Sequence, residues 1–430
     1  MDQSLQTSIR NAVDNAFGRQ TEFLSELTAH PSTRGQEQSA QDFIAEALQA
    51  RSYQIDRWNI DVADIAHLPG FSPVAGNYDD AVNVVASHRS RRRSGKSLIL
   101  NGHIDVVPVG PLDMWQSPPF APRIEAGWMY GRGAGDMKAG LSANLFALDA
   151  LAALGHAPAA DVFFQSVVEE ECTGNGALAC LQRGYRADAA LIPEPFAEEL
   201  ISAQVGVIWF QVHLKGIPVH VLEAGSGANA IEAAIPLIEA LHGLEARWNV
   251  PERRHKHFAD HAHALNLNIG RIKGGDWASS VPAWCVFDVR MGLFPGQNLE
   301  EARAEIESAL MQAAGEHAFL RQNPPQIVYH GFQAEGYALA EDQSENAAEA
   351  IAKLAGAHQA ITGTALSQVP VTATTDARFF GLYADIPALV YGPRAEAIHG
   401  FNERVELESL RRVTQVTALF IAEWCGLEPR

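Results

Sequence analysis

The sequence predicts an α/β protein: a mostly parallel central sheet flanked by helices, with a smaller α+β sandwich inserted into it. Three observations carry this. Short apolar runs recur at 97–100 (SLIL), 161–168 (DVFFQSVV), 187–193 (ADAALIP) and 386–392 (IPALVYG). Uninterrupted apolar runs bounded by turn residues suit strands covered on both faces, as in parallel sheets. Helical patterns lie between the runs, at 137–154, 176–182 and 346–354, and strand–helix alternation is how a parallel sheet is built. Between about 205 and 328 the texture changes to alternating strands with one wetter face.

In chain order, apolar spacings of three and four predict helices at 20–27 and 38–51. The basic run at 88–96 (HRSRRRSGK) contains Gly95 and reads as a solvated turn. The apolar runs and helices of the main unit follow. Within the different stretch, 205–214, 265–272 and 284–291 read as strands, 228–244 and 299–314 as helices, and 326–329 as a last strand. That order suits a small sandwich. The apolar strand at 386 returns to the first texture. The division is therefore 1–204 with 330–430 as one unit, and 205–329 as the insertion.

Composition narrows the function classes. The chain has 430 residues, 47% hydrophobic and 19% charged, as a globular enzyme with a large core has. Its 32 basic and 51 acidic side chains give a net charge of −19. Such a surface repels phosphate backbones, so no nucleic-acid partner is expected. The most apolar stretch, 137–154, still contains Lys138, Ser142, Asn144 and Asp149, so no membrane partner is expected. Cys172, Cys180, Cys285 and Cys425 form no C-x-x-C pair and no disulfide framework. The N-terminal stretch has no apolar signal core. A cytoplasmic location is the expectation.

Open α/β sheets bind ligands just beyond the carboxyl ends of their strands. Here those positions carry acids and histidines. Asn101-Gly102-His103-Ile104-Asp105 follows the first run, and Glu169-Glu170-Glu171 the second. Glu194, between Pro193 and Pro195, follows the third, and His399 comes soon after the fourth. On a strand His103 and Asp105 point the same way, so Asp105 can fix the tautomer of a ligating imidazole. Asp136, in Gly131-Arg132-Gly133-Ala134-Gly135-Asp136-Met137-Lys138, opens an apolar helix. An N-cap is the plain reading of that aspartate. A phosphate loop fails, because no G-x-x-x-x-G-K-[ST] is present. Adjacent buried carboxylates resist desolvation, and a cation relieves that cost. Mixed nitrogen and oxygen donors suit Zn²⁺, Mn²⁺ or Co²⁺, and a spare glutamate can serve as base toward water.

The ordered motifs H-x-D, G-x-x-D-M-K, E-E-E, E-P and H-G-x-N-E resemble the co-catalytic zinc aminoacylase and carboxypeptidase family. Its members include acetylornithine deacetylase, succinyl-diaminopimelate desuccinylase, aminoacylase and glutamate carboxypeptidase. The resemblance runs from about residue 98 to 425. It implies up to two metal ions per subunit, with Asp136 bridging them. His103 and Glu194 would complete one site, and Glu171 and His399 the other. Asp105 would orient His103, and Glu170 would be the general base. Glu169 stands where the family often has Asp. The inserted unit would be a lid and homodimerisation domain. His220, in Gly216-Ile217-Pro218-Val219-His220, resembles a lid histidine that reaches the partner's site and stabilises an oxyanion. Arg290 and Asn229 resemble lid positions that hold substrate. Ser279 and Ser280 stand where some relatives have Asn before Val-Pro. Asp376 and Arg378 lie in a family-like stretch without an assigned role.

The implied activity is a metal-dependent amidohydrolase that cleaves an amide C–N bond in a small, carboxylate-bearing substrate, such as an N-acyl amino acid or small peptide. One rival is hydrolysis of a carbamoyl, amidine or aryl-amine C–N bond on the same scaffold. Another is a binding protein that has lost the reaction, which predicts missing ligands. The local cluster of His255, His257, His261 and His263 offers a second metal site or a solvated loop, and its setting beside Glu252, Arg253 and Arg254 favours the loop.

Overall fold

The four apolar runs become neighbouring strands. The structure, a computed structural model, describes residues 1–74, 76–340 and 345–430. Its main sheet has the order Gln54–Asn59, Val82–His88, Val162–Val167, Leu98–His103, Ala189–Ile192, Ala388–Val390. The last four are mutually parallel; Val82–His88 runs antiparallel to Val162–Val167, and Gln54–Asn59 antiparallel to Val82–His88. Every residue of the four parallel strands is buried. Because they are parallel, their carboxyl ends share one edge of the sheet. In register, His103 lies beside Val167, and Leu100 beside Leu191.

The helices Gln3–Ala29, Ala139–Ala153, Glu345–Thr362 and Leu407–Trp424 pack side by side. Ala139–Ala153 is apolar all round and almost wholly buried, as a helix between a sheet and a second helical layer must be. Gly140 lets its first turn touch the strand ends: a Cβ there would come within 2.3 Å of the Pro193 carbonyl oxygen. The N-terminal helix corrects the expectation of a short element at 20–27. It is one helix of 27 residues. Its buried positions Ile9, Val13, Ala16, Gln20, Phe23, Leu24 and Leu27 recur at three and four along its length.

The insertion forms its own antiparallel sheet, ordered Leu267–Gly274, Trp284–Leu293, Gly206–Lys215, Gln326–Ala334. Ala230–Trp248 and Leu299–Glu316 cover one face and close a separate core around Phe210, Phe287, Leu237 and Ile306. The fourth strand continues to Ala334, past the boundary expected at 329. Tyr329-His330-Gly331 breaks the apolar alternation midway along this strand.

The basic run is a turn held from outside. The Arg91 and Arg92 amides and the Ser90 hydroxyl donate to Glu428, and the Ser90 amide donates to Asp161. The four cysteines are free thiols. Among the described residues, no helix is long and apolar enough to cross a membrane.

Candidate metal centre

The shared edge of the parallel strands gathers the acids and histidines. His103 ends its strand and is 1% exposed. Glu169, Glu170 and Glu171 follow Val162–Val167, and Glu194 follows Ala189–Ile192. Asp136 sits in the tight turn 134–138 that leads into Ala139–Ala153, and His399 in the loop beyond Ala388–Val390.

Their distances suit shared ions. The Asp136 carboxylate turns one oxygen to each imidazole: Oδ1 is 3.1 Å from His103 Nε2, and Oδ2 is 3.4 Å from His399 Nε2. Glu194 Oε1 lies 3.8 Å from His103 Nε2, and Glu171 Oε2 lies 3.1 Å from His399 Nε2. Zinc bonds of about 2.0–2.2 Å place the ligands of a tetrahedral ion roughly 3.3–3.6 Å apart. The observed separations straddle that range. Donor atoms of His103, Asp136 and Glu171 all lie within 4.8 Å of one another, as do those of His103, Glu170 and Glu194. The set therefore fits divalent ions in both spacing and donor type.

Asp105 acts in a way the sequence did not reveal. His103 Nδ1 meets the backbone carbonyl of Asp105 at 2.9 Å, while the nearer carboxylate oxygen is at 3.7 Å. The carboxylate instead accepts the Glu170 and Glu171 amides, at 3.3 and 3.1 Å. One residue thus orients the imidazole through its backbone and positions the acidic turn through its side chain.

Glu403 and Arg132 were absent from the expected site, yet they hold two of its loops. Glu403 Oε1 accepts the Gly135 and Asp136 amides, both at 3.0 Å, and Oε2 accepts the Gly133 amide at 3.1 Å. The Arg132 guanidinium meets Glu403 Oε2 at 2.6 Å and the Gly400 carbonyl at 3.0 Å. The glycine-rich turn bearing Asp136 is thereby tied to the loop bearing His399. That loop needs the tie, because His399 itself is left-handed, with φ 61°. The available signal was the pairing of G-R-G-A-G-D with a late H-G-F-N-E.

The electrostatics are those of a site built for cations. Burial pushes the Glu170 carboxyl well above its ordinary range, and Glu194, Asp376 and Glu171 add to the push. Glu194 is raised the same way, by burial and then by Asp136, Asp376 and Glu171. Burial works to lower both imidazoles, but the acids outweigh it. His103 stands well above its usual value, and His399 rises to about 10 beside Asp136 and Glu171. Asp376 is 1% exposed, neither carboxylate oxygen has a hydrogen-bond partner, and burial raises it to about 7. Carboxylates this crowded are held apolar-side only when positive charge compensates them.

The residues expected to belong to a lid lie elsewhere. His220 is exposed, and its Nδ1 accepts the Leu222 amide. Asn229 caps Ala230–Trp248 by accepting the Ile231 and Glu232 amides. Arg290 lies beside Trp209 on the sheet face away from the insertion's helices, and donates to the carbonyls of Asn266 and Thr372. Thr372 belongs to the main unit, so Arg290 bridges the two. Of the local histidines, His255 and His257 stack, and His263 joins His242 on Glu245. Among the described residues, the donor groups able to close on an ion are those at the sheet edge.

The comparisons with known proteins agree with this geometry. An N-formyl-4-amino-5-aminomethyl-2-methylpyrimidine deformylase of Halalkalibacterium halodurans is 31% identical over 404 residues, covering 90% of this chain and 89% of the relative. The protein of the same name in Bacillus subtilis is 28% identical over 452 residues, covering 99% of each. Among solved structures, the dipeptidase Dug1p of Saccharomyces cerevisiae matches with a TM-score of 0.79 at 15% identity, over 99% of both chains. The family model for peptidase family M20/M25/M40 matches residues 99–423. With the motifs, the fold and this match in agreement, the chain is a hydrolase of C–N bonds and belongs to peptidase family M20/M25/M40.

Proposed function

We propose that the protein removes a small acyl group from an amine, with an N-formyl amide as the first substrate to test. One observation carries the reading: His103, Asp136, Glu171, Glu194 and His399 converge at one sheet edge with Glu170 among them. The two relatives that share a deformylase name, each matched over about nine-tenths or more of its length, favour the formyl group. His103 with Glu194, and His399 with Glu171, would hold two divalent ions bridged by Asp136, zinc being the expected metal and manganese or cobalt the alternatives. When bound, such ions polarise the amide carbonyl and acidify water. Glu170 takes the proton of the attacking water and returns it to the leaving nitrogen. Asp105 holds Glu170 and Glu171 by their amides while this happens. Water is consumed, the C–N bond breaks, and a carboxylic acid and an amine leave.

Arg290 favours a second reading. Its guanidinium is largely buried, burial lowers its pKa, and its hydrogen bonds go to backbone carbonyls. A substrate carboxylate suits that guanidinium, which keeps N-acyl amino acids and dipeptides in view. A panel of N-formyl heteroaromatic amines, N-acyl amino acids, dipeptides and carbamoyl compounds separates the readings. Turnover confined to the first class supports deformylation, and turnover confined to the others overturns it.

The chain divides here into 1–204 with 335–430, and 205–334 as a lid. We place it in the cytoplasm as a homodimer built through that lid. The support is an exposed apolar surface: Ile231, Ile235, Ile272 and Trp277, the last 73% exposed. It borders the unpaired edge strand Leu267–Gly274, and such surfaces and edges are normally covered. Leu222 and Val221, beside His220, are exposed too, as residues reaching a partner's site would be. Sedimentation of Ile235→Glu should show monomers, with turnover falling at least tenfold as His220 loses its partner site. A variant that stays dimeric, or a fully active wild-type monomer, contradicts this assignment.

A further inference from the structure

We propose that Arg34, Tyr78 and Thr173 form a clamp on Glu169 that sets the position of Glu170 and Glu171, so that Glu169 is a positioning residue rather than a third acid of the metal centre. The inference rests on the roles just given to Glu170 and Glu171.

The geometry separates Glu169 from its neighbours. Its backbone is left-handed, with φ 70°, a conformation that a non-glycine residue adopts at a cost. Its carbonyl accepts the amides of Cys172, Thr173 and Gly174, so the turn winds around it. Its side chain meets Arg34 through Nε and, at 3.0 Å, through Nη2. The Tyr78 hydroxyl donates to Oε2 at 2.6 Å, and the Thr173 hydroxyl donates to the same oxygen at 2.9 Å. The carboxylate is 3% exposed, so these partners replace the water it has lost. A two-pronged guanidinium also fixes the plane of the carboxylate, which a lysine cannot do.

The turn is therefore held from two sides. The clamp holds residue 169, and the Asp105 carboxylate holds the amides of 170 and 171. Slack on the first side frees the left-handed residue to relax and carries Glu170 and Glu171 off their positions. A misplacement near 1 Å is enough to impair catalysis. The clamp connects to the lid through Asn175 and Ser72. Asn175 donates to the Tyr78 hydroxyl and to the Ser72 carbonyl, while the Gln333 amide donates to the Ser72 hydroxyl and the Gly331 amide to the Pro73 carbonyl. The lid strand and the acidic turn are thus linked through Ser72 and Asn175.

The test uses the full chain with zinc, in Arg34→Ala, Tyr78→Phe and Glu169→Gln, read by steady-state kinetics and by chelator competition for zinc. Outer residues of metal sites typically govern 10–100-fold in affinity or activity. Arg34→Ala should lose kcat and zinc affinity by about that factor, with KM nearly unchanged. Added guanidinium ion should restore part of both. Tyr78→Phe deletes one hydroxyl in an otherwise intact core, and should show a smaller loss of the same kind. Arg34→Ala joined to Glu169→Gln should be no worse than the worse single change, because one unit is broken once. Wild-type kcat and zinc affinity in folded Arg34→Ala and Tyr78→Phe, with only the urea midpoint lowered, overturn the proposal. Glu170→Gln is the separate control: if it keeps full turnover, the role of Glu170 falls, while the zinc affinities still decide the clamp.

Discussion

Glu170→Gln should lower kcat by about 10²–10⁴ while zinc content stays at the wild-type level. The substitution keeps the shape of the side chain and removes its ability to accept a proton. Glu170 Oε2 lies 3.8 Å from His103 Nε2, and its donor atom closes a group with His103 and Glu194. Two roles are therefore in contention for this side chain, metal ligand and base. They differ in what the amide variant keeps. A base is dispensable for binding metal, and a ligand is not. The raised carboxyl, buried among Glu194, Asp376 and Glu171, favours the base, because such a group gains most from taking a proton. Metal analysis beside initial rates on one preparation decides. Loss of zinc together with activity would make Glu170 a ligand.

Glu403→Ala should be the most destabilising single change near the site. Arg132 is 2% exposed and Glu403 1% exposed. Removing one partner of a buried ion pair costs about 3–5 kcal/mol, because the other charge stays buried without compensation. The Gly133, Gly135 and Asp136 amides lose their acceptor at the same time, and each unmet amide costs about 1–3 kcal/mol, not additively. Urea unfolding of the metal-free protein measures the stability. Chelator competition should also show zinc affinity falling at least tenfold, since the Asp136 turn and the His399 loop lose their common tie. Glu403→Gln retains an acceptor for the amides and should fall between alanine and wild type. A Glu403→Ala protein with the wild-type midpoint contradicts the cradle.

The ends of the parallel strands were legible because an acid or histidine follows each apolar run, directly after 161–168 and 187–193 and a few residues on after 97–100 and 386–392. Burial on both faces writes itself as unbroken hydrophobicity, and a site at the strand ends writes itself as the polar residue that follows. The true task of the Asp105 carboxylate was not legible. It depends on Leu98–His103 and Val162–Val167 being adjacent in the sheet, which brings the amides of 170 and 171 beside residue 105. Glu403 was hidden for the same reason, 267 positions from the Asp136 amide it accepts. The full N-terminal helix was written in the spacing of Ile9, Val13 and Ala16, though polar residues between them masked it. The strands Gln54–Asn59 and Val82–His88 were not legible in the sequence. The first is an exposed edge with little apolar pattern, and the second runs into the basic turn.

Metal stoichiometry tests whether Asp136 bridges two ions. Wild-type protein and Asp136→Asn, loaded with zinc and freed of excess, should be measured by mass spectrometry for zinc per chain. The geometry predicts two ions in the wild type and no more than one in the variant, because one carboxylate faces both imidazoles. Two ions in both proteins would remove the bridge, and none in the wild type would remove the metal centre itself.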